Sequence, residues 1–436
     1  MKLEPVIIKS KQTDDEYHLY HHPSGLDVLV MRMEGFRTTE ALFATNYGSI
    51  NTCFKTVDTG DFITVPDGIA HYLEHKLFEN EDCGVLELYA KTGASANAFT
   101  SFEVTAYTFS TSSDYKEPLR LLLDFVQKPY FTDENVEKER GIIAQEIKMG
   151  QDSPTKMLFY ELLKSLFHNH PVKQEIAGSV ESIQEITTKL LYDCYNTFYN
   201  LHNMVLSIAG NVDDETVLSI CDEMLKPAEN KELITKLPEE PDSVVRRRSD
   251  IKMQVGVPIF NMGFKCKPKK GIENQRQMMV VSMMMRMIFG PTTQWYKSAF
   301  EDGLINSTFG GEVFCSNQGY FVITITGESK DPDAVKDRIL KEIERVKGTH
   351  LDEKMFKIFL KSNYGLEISR LNNVAECAES MCFSYLDGIT CFDVLSIYAD
   401  MTLEEVEGAL SLLDPEYLAF CTVSSSGNTQ SEVNSK

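Results

Sequence analysis

The sequence predicts an α+β protein made of two homologous halves. Each is a mostly antiparallel sheet with helices packed on one face, and the two halves are expected to close on each other as a clamshell. Three observations carry the fold class. The chain has 436 residues, enough for roughly two to four domains. Strand-like and helix-like segments follow one another in a set order over the first half. That order returns after a polar stretch that holds Pro238 and Pro241. The expected division is a first domain over 1–235, a linker over 236–250, a second domain over 251–424 and a Ser/Asn-rich disordered tail over 425–436.

Residues 26–33 alternate as a strand does, and 40–47 can be its neighbour. Pro66-Asp67-Gly68 closes a loop and offers Asp67 or Gly68 as a helix cap. A second helix over 84–92 stops at Gly93. Small, β-branched and aromatic residues over 94–109 make one or two strands. Helical spacing marks 115–127, and Thr132-Asp133-Glu134 opens another helix with an acidic first turn that suits the helix dipole. Helices follow over 157–167, within 182–198 and over 214–225, around the fully apolar strand 204–210.

The second half repeats the scheme. A strand over 255–264 leads to helices at 274–289 and 293–300 and a hairpin of 306–314 with 319–327. Helices are expected near 333–346, 352–369, 374–386 and 402–412, with a last strand at 417–423.

A formal net charge of -22 and a pI of about 4.9 argue against a general nucleic-acid binder. The first ten residues hold no long apolar stretch, so no export signal is expected. The Met-rich run 278–289 is too short to span a bilayer. The ten scattered cysteines read as reduced, mostly buried thiols, and a cytoplasmic location follows as the default expectation. His18, His21 and His22 read as surface residues, the Met cluster as core, Arg246-Arg247-Arg248 as solvated or paired with acids, and His168 and His170 as structural.

The chemistry centres on His71-Tyr-Leu-Glu74-His75. On a helix these three side chains share a face. Two imidazoles one turn apart can hold one Zn²⁺, and the carboxylate between them can reach the water that the ion activates. This is the inverted His-x-x-Glu-His order. A catalytic zinc needs a third protein ligand, which could be Glu, Asp, His or Cys. The candidate is Glu146. Glu139 stands two helical turns before it and suits an outer role, orienting an imidazole N–H. The same two carboxylates would also suit a solvated helix face.

His71-Tyr-Leu-Glu74-His75, Ser95-Ala-Asn97-Ala98-Phe99-Thr100 and Glu139-Arg-Gly-Ile-Ile-Ala-Gln-Glu146, in that order, resemble the pitrilysin/insulinase family of zinc metallopeptidases. The bacterial processing-peptidase-like branch is the nearest likeness. The wording Val65-Pro-Asp-Gly-Ile-Ala-His71, Tyr195-Asn-Thr-Phe-Tyr199 and Asn203-Met-Val-Leu206 is similar to its members associated with elongation factor P modification.

The resemblance implies one zinc per chain on His71, His75 and Glu146, Glu74 as general base and Glu139 behind the ligands. It implies substrate backbone paired along Asn97, Ala98 and Phe99. Its expected substrates are unfolded or short peptides, with no nucleic-acid or membrane partner. One departure stands out. Single-site members of the family place an Arg and a Tyr in the second half, where this chain has Ala299 and Asn306. A dimer, with a paralogous chain supplying those donors, is the expected remedy. A non-catalytic or partner-specific processing subunit, linked to translation-factor modification, is the alternative.

Overall fold

The computed structural model describes residues 3–57, 60–79 and 84–425. The first half opens with strands β1 (Val6–Lys9), β2 (Glu16–His21), β3 (Asp27–Arg32) and β4 (Thr39–Thr45). A small hairpin of β5 (Cys53–Lys55) and β6 (Phe62–Thr64) follows, then helices α1 (Ile69–Leu77) and α2 (Val85–Thr92). Next come β7 (Ser95–Thr100) and β8 (Thr105–Thr111), and four helices: α3 (Lys116–Val126), α4 (Asp133–Gln151), α5 (Pro154–Leu166) and α6 (Thr188–Phe198). Strand β9 (Met204–Gly210) and helix α7 (Asp214–Met224) complete it.

The second half runs β10 (Arg248–Lys252), β11 (Ile259–Cys266), α8 (Gly271–Phe289), α9 (Gln294–Glu301), β12 (Gly310–Ser316) and β13 (Tyr320–Glu328). It continues through α10 (Pro332–Lys347), α11 (Glu353–Arg370), α12 (Val374–Leu386), α13 (Asp393–Asp400) and α14 (Leu403–Gly408) to β14 (Leu418–Ser424).

The two sheets show the duplication directly. The first has the order β1-β2-β3-β9-β4-β8-β7 and the second β10-β14-β11-β13-β12. β3 pairs parallel with β9, as β10 does with β14, and the remaining pairs in both sheets are antiparallel. The last five strands of the first sheet therefore match the whole of the second, position by position. β1 and β2 are additions at the far edge.

Alternation decides which residues serve which layer. In β3, Val28 and Val30 face the helices of their own half, whereas Leu29 and Met31 face the opposite side. That opposite side is covered by α12, which comes from the second half: Val374, Cys377, Ala378, Met381 and Cys382 pack on Leu29, Leu42 and Val205. Ser207 Oγ donates to Ala378 O at 2.7 Å across this contact. The equivalent helix of the first half, α5, covers the second sheet in return, with Leu158, Leu162 and Leu166 against Val322, Ala419 and Cys421. Gly263 in β11 permits the approach, because a Cβ there would lie 2.9 Å from Leu162 Cδ2. Each half thus lends one helix to the other, and each buried leucine in the exchange contributes about 1.5–3 kcal/mol of gross burial energy.

Several local expectations change. β1, β2 and α13 have no counterpart in the sequence reading. The hairpin strand expected from 306 begins at Gly310, because the Asn306 side chain closes a turn by accepting from Thr308 N at 2.9 Å. β10 starts at Arg248, inside the stretch expected to be linker.

The arginine run is paired: Arg246 with Glu161 at 2.8 Å, and Arg248 with Asp250 at 2.6 Å and Asp333 at 2.7 Å. His22 is buried rather than surface, held by Ser24 at 2.8 Å and Asp222 at 3.1 Å. Met279, Met283, Met284 and Met285 lie in the second core. Nine cysteines are free thiols, and Cys83 lies outside the described residues. The tail expected over 425–436 also lies outside them, apart from Ser425. Among the described residues, no helix is long and apolar enough to cross a membrane.

Candidate metal centre and peptide site

α1 begins at Gly68, which has φ of 93°, a left-handed conformation that glycine adopts without strain. A Cβ at Gly68 would stand 2.4 Å from the carbonyl oxygen of Ala177, so the loop carrying Ala177 fixes where the helix starts. Gly68→Ala is therefore expected to cost more than about 2 kcal/mol, combining backbone strain with the clash. It should also lower metal content, because both histidines ride on the displaced helix. Thermal denaturation and metal analysis of the variant check this.

α1 buries Ile69, Ala70, Leu73 and Leu77, which leaves His71 and His75 on the face toward α4. Tyr72 OH donates to Val136 O and Lys76 Nζ donates to Asn135 O at 3.3 Å, and these bonds fasten α1 to the start of α4. α4 is itself set by a capping box between Thr132 and Asn135. Its buried stripe of Val136, Glu139, Ile143 and Ile147 carries Glu139 toward α1, and Glu146 follows two turns later.

The structure brings His71, His75 and Glu146 together, with one ligand atom from each within 4.8 Å of the others. His71 Nε2 lies 3.5 Å from Glu146 Oε1, and His75 Nε2 lies 3.5 Å from Glu146 Oε2. Those separations are long for charge-assisted hydrogen bonds. They suit three atoms sharing one ion, since ligands about 2.0–2.1 Å from a tetrahedral zinc stand roughly 3.3 Å apart. The two rings lie 4.6 Å apart, tilted by 60°. His75 Nδ1 and Glu139 Oε1 are hydrogen-bonded at 2.9 Å, and His71 Nδ1 is buried with no partner among the described residues.

Electrostatics separate the two histidines. Burial pushes His71 down to about 3, helped by the charges of His75 and Lys156. Burial also opposes a charge on His75, but its hydrogen bond to Glu139 and the charges of Glu74, Glu139 and Glu146 outweigh it and raise its pKa. Glu139 is buried too, yet the His75 hydrogen bond keeps its carboxyl below the usual range. Burial pushes the Glu74 carboxyl up, against the pull of a hydrogen bond from Thr100.

That bond, Thr100 Oγ1 to Glu74 Oε2 at 2.7 Å, ties the helix to β7. Among the described residues β7 pairs only with β8, which leaves its other edge open at the end of the sheet. Asn97, Ala98 and Phe99 lie along this strand. Ala98 packs toward the α1 side, while Phe99 packs on the opposite face against Phe383 of α12, with ring centres 6.1 Å apart. Asn97 is exposed. Sequence reasoning gave no role to Thr100, although it stands at the end of the quoted strand motif, and none to Lys156, which nothing in the sequence marks. Ala299 is fully buried in the second core, and Asn306 Nδ2 donates to Glu328 at 2.8 Å. His170 is buried and bonded to Gln318 O at 2.9 Å.

Known proteins share the fold and much of the sequence. A family model described as Insulinase (Peptidase family M16) matches residues 45–180, and one described as Peptidase M16 inactive domain matches 185–360. A Bacillus subtilis protein named as an uncharacterized zinc protease, YmfH, is 38% identical over 404 residues, covering 90% of this chain and 93% of that one. The crystal structure of an M16-like peptidase from Alicyclobacillus acidocaldarius matches with a TM-score of 0.89 at 33% identity, over 98% of this chain and 99% of that one. Pitrilysin shares the fold at a TM-score of 0.77 and 16% identity. The match covers 97% of this chain but 46% of pitrilysin. The chain belongs to the M16 peptidase family, whose relatives here carry the name zinc protease.

Proposed function

We propose that this chain is the metal-bearing subunit of a zinc endopeptidase that hydrolyses unfolded or short peptides. One observation carries the reading: His71, His75 and Glu146 converge within 4.8 Å beside the buried Glu74 and a free sheet edge. Zinc held by those three side chains would act as a Lewis acid and bring the pKa of a bound water to about 7. His/His/Glu also suits Mn²⁺ or Co²⁺.

The residues of the chain divide the remaining work. A substrate backbone adds to the open edge of β7 along Asn97, Ala98 and Phe99, a mode that reads extension more than sequence. Thr100 holds Oε2 of Glu74, and the carboxylate accepts the proton of the attacking water and returns it to the departing amine. Glu139 accepts the Nδ1–H of His75, which leaves the Nε2 lone pair aimed toward Glu146.

Metal analysis of the purified protein, run beside hydrolysis of a quenched peptide, tests the reading. One zinc per chain is expected, and Glu139→Ala should weaken metal binding about 10–100-fold. Zinc retained at full occupancy after His71→Ala would sink the assignment. A second reading, a non-catalytic or partner-specific processing subunit, draws on Ala299 and Asn306, neither of which offers an Arg or Tyr donor.

A further inference from the structure

The two helices that carry the ligands are joined by a group that the chemistry above does not use. Gly150 lies one helical turn after Glu146 on α4. A Cβ there would stand 2.4 Å from Lys156 Nζ and 3.2 Å from Glu175 Oε1. Lys156 and Glu175 are ion-paired, with side chains 35% and 16% exposed. The pair therefore rests on the bare backbone of α4 at Gly150.

Each partner is held from its own side. Lys156 lies in the first turn of α5, which Ser153 caps by accepting from the Lys156 amide at 3.4 Å. Glu175 opens a tight loop in which Gly178 N donates to Glu175 O at 2.8 Å. The Ile176 amide of this loop donates to Tyr160 OH of α5 at 3.3 Å. The far end of the loop backs onto the start of α1. The Ala177 carbonyl stands against Gly68, and a Cβ at Gly178 would lie 2.4 Å from Asp67 O. Ser182 Oγ donates to the same Asp67 O at 2.8 Å. One ion pair thus touches the helix that bears Glu146 and anchors the loop that seats the helix bearing His71 and His75.

The helix α5 belongs to both halves. Its Leu158, Leu162 and Leu166 pack on the second sheet, so the second half fixes where Lys156 stands. We propose that Lys156 and Glu175 are positioning residues for the metal centre. The pair sets the distance of α4 from the start of α1, and with it the distance of Glu146 from the two histidines. Its reference point is the second half, which thereby takes part in a site to which it gives no ligand. Zinc–ligand distances hold to within about 0.2 Å, so a small shift of either helix is felt. A largely buried pair resists such a shift, because separating its members leaves a charge without a partner.

The inference rests on the zinc assignment above, and the experiment separates the two. Zinc affinity of the full chain is measured by competition with a chromogenic chelator, beside thermal denaturation of each protein without metal. An unaltered chain that binds no zinc would fell the assignment and this inference together. Where zinc binds, Lys156→Met and Glu175→Gln should each weaken it about tenfold, and the double variant no further, because the pair acts as one unit. Gly150→Ala is the sharper variant. Alanine is the better helix former, so the metal-free protein should melt no lower, yet the added methyl displaces the pair and should also weaken zinc about tenfold. Unchanged zinc affinity in the two pair variants, losses that add in the double variant, or losses found only where the metal-free protein melts lower would overturn the proposal.

Discussion

Glu74→Gln is expected to lower peptide hydrolysis by about 10²–10⁴-fold, the range usual for loss of a positioned proton acceptor. Zinc content should stay at that of the unaltered protein. The separation of the two effects is what makes the experiment decisive. Glutamine has the shape of glutamate and can still accept the Thr100 hydroxyl, so α1 and β7 keep their link. The amide cannot take a proton from water. Burial already disfavours the charge on Glu74, so neutralising it should leave stability unchanged or raise it. Equal hydrolysis rates in the two proteins would remove the peptidase reading. Loss of zinc together with activity would show that Glu74 acts on the structure of the site rather than on the reaction.

The sequence shows this site well because its logic is local twice over. His71, Glu74 and His75 sit on one helix, where spacing alone fixes a shared face. Glu139 and Glu146 sit on another, two turns apart, so one docking of α1 on α4 delivers both. Thr100 was out of reach, because its bond to Glu74 depends on how β7 lies against α1 and no spacing encodes that.

The exchange of α5 and α12 was hidden for a related reason. The leucines at 158, 162 and 166 announce an amphipathic helix, but an apolar stripe does not name the sheet it will cover. The alternation in β3 did hold a clue. Both of its faces are apolar, with Val28 and Val30 on one and Leu29 and Met31 on the other, which marks a strand buried on two sides. His22 reads as surface together with His18 and His21, and only the fold brings Asp222 to it.

The second large effect concerns what the chain lacks. Alone, it is expected to hydrolyse peptides slowly. Adding a paralogous chain that carries the Arg/Tyr pair should raise the rate by about 10²–10³-fold for each oxyanion donor restored. The second half cannot supply these donors where the family pattern puts them. Ala299 is fully enclosed in the core, so an arginine there would have to bury its charge, and the Asn306 amide is spent on Glu328.

Size-exclusion chromatography of the mixed chains, followed by a rate measurement on the complex, gives the answer. A complex with no gain in rate would return the donors to this chain, and failure to form any complex would end the two-chain proposal. A gain in rate that vanishes when the partner's arginine is replaced would place the oxyanion contact across the interface.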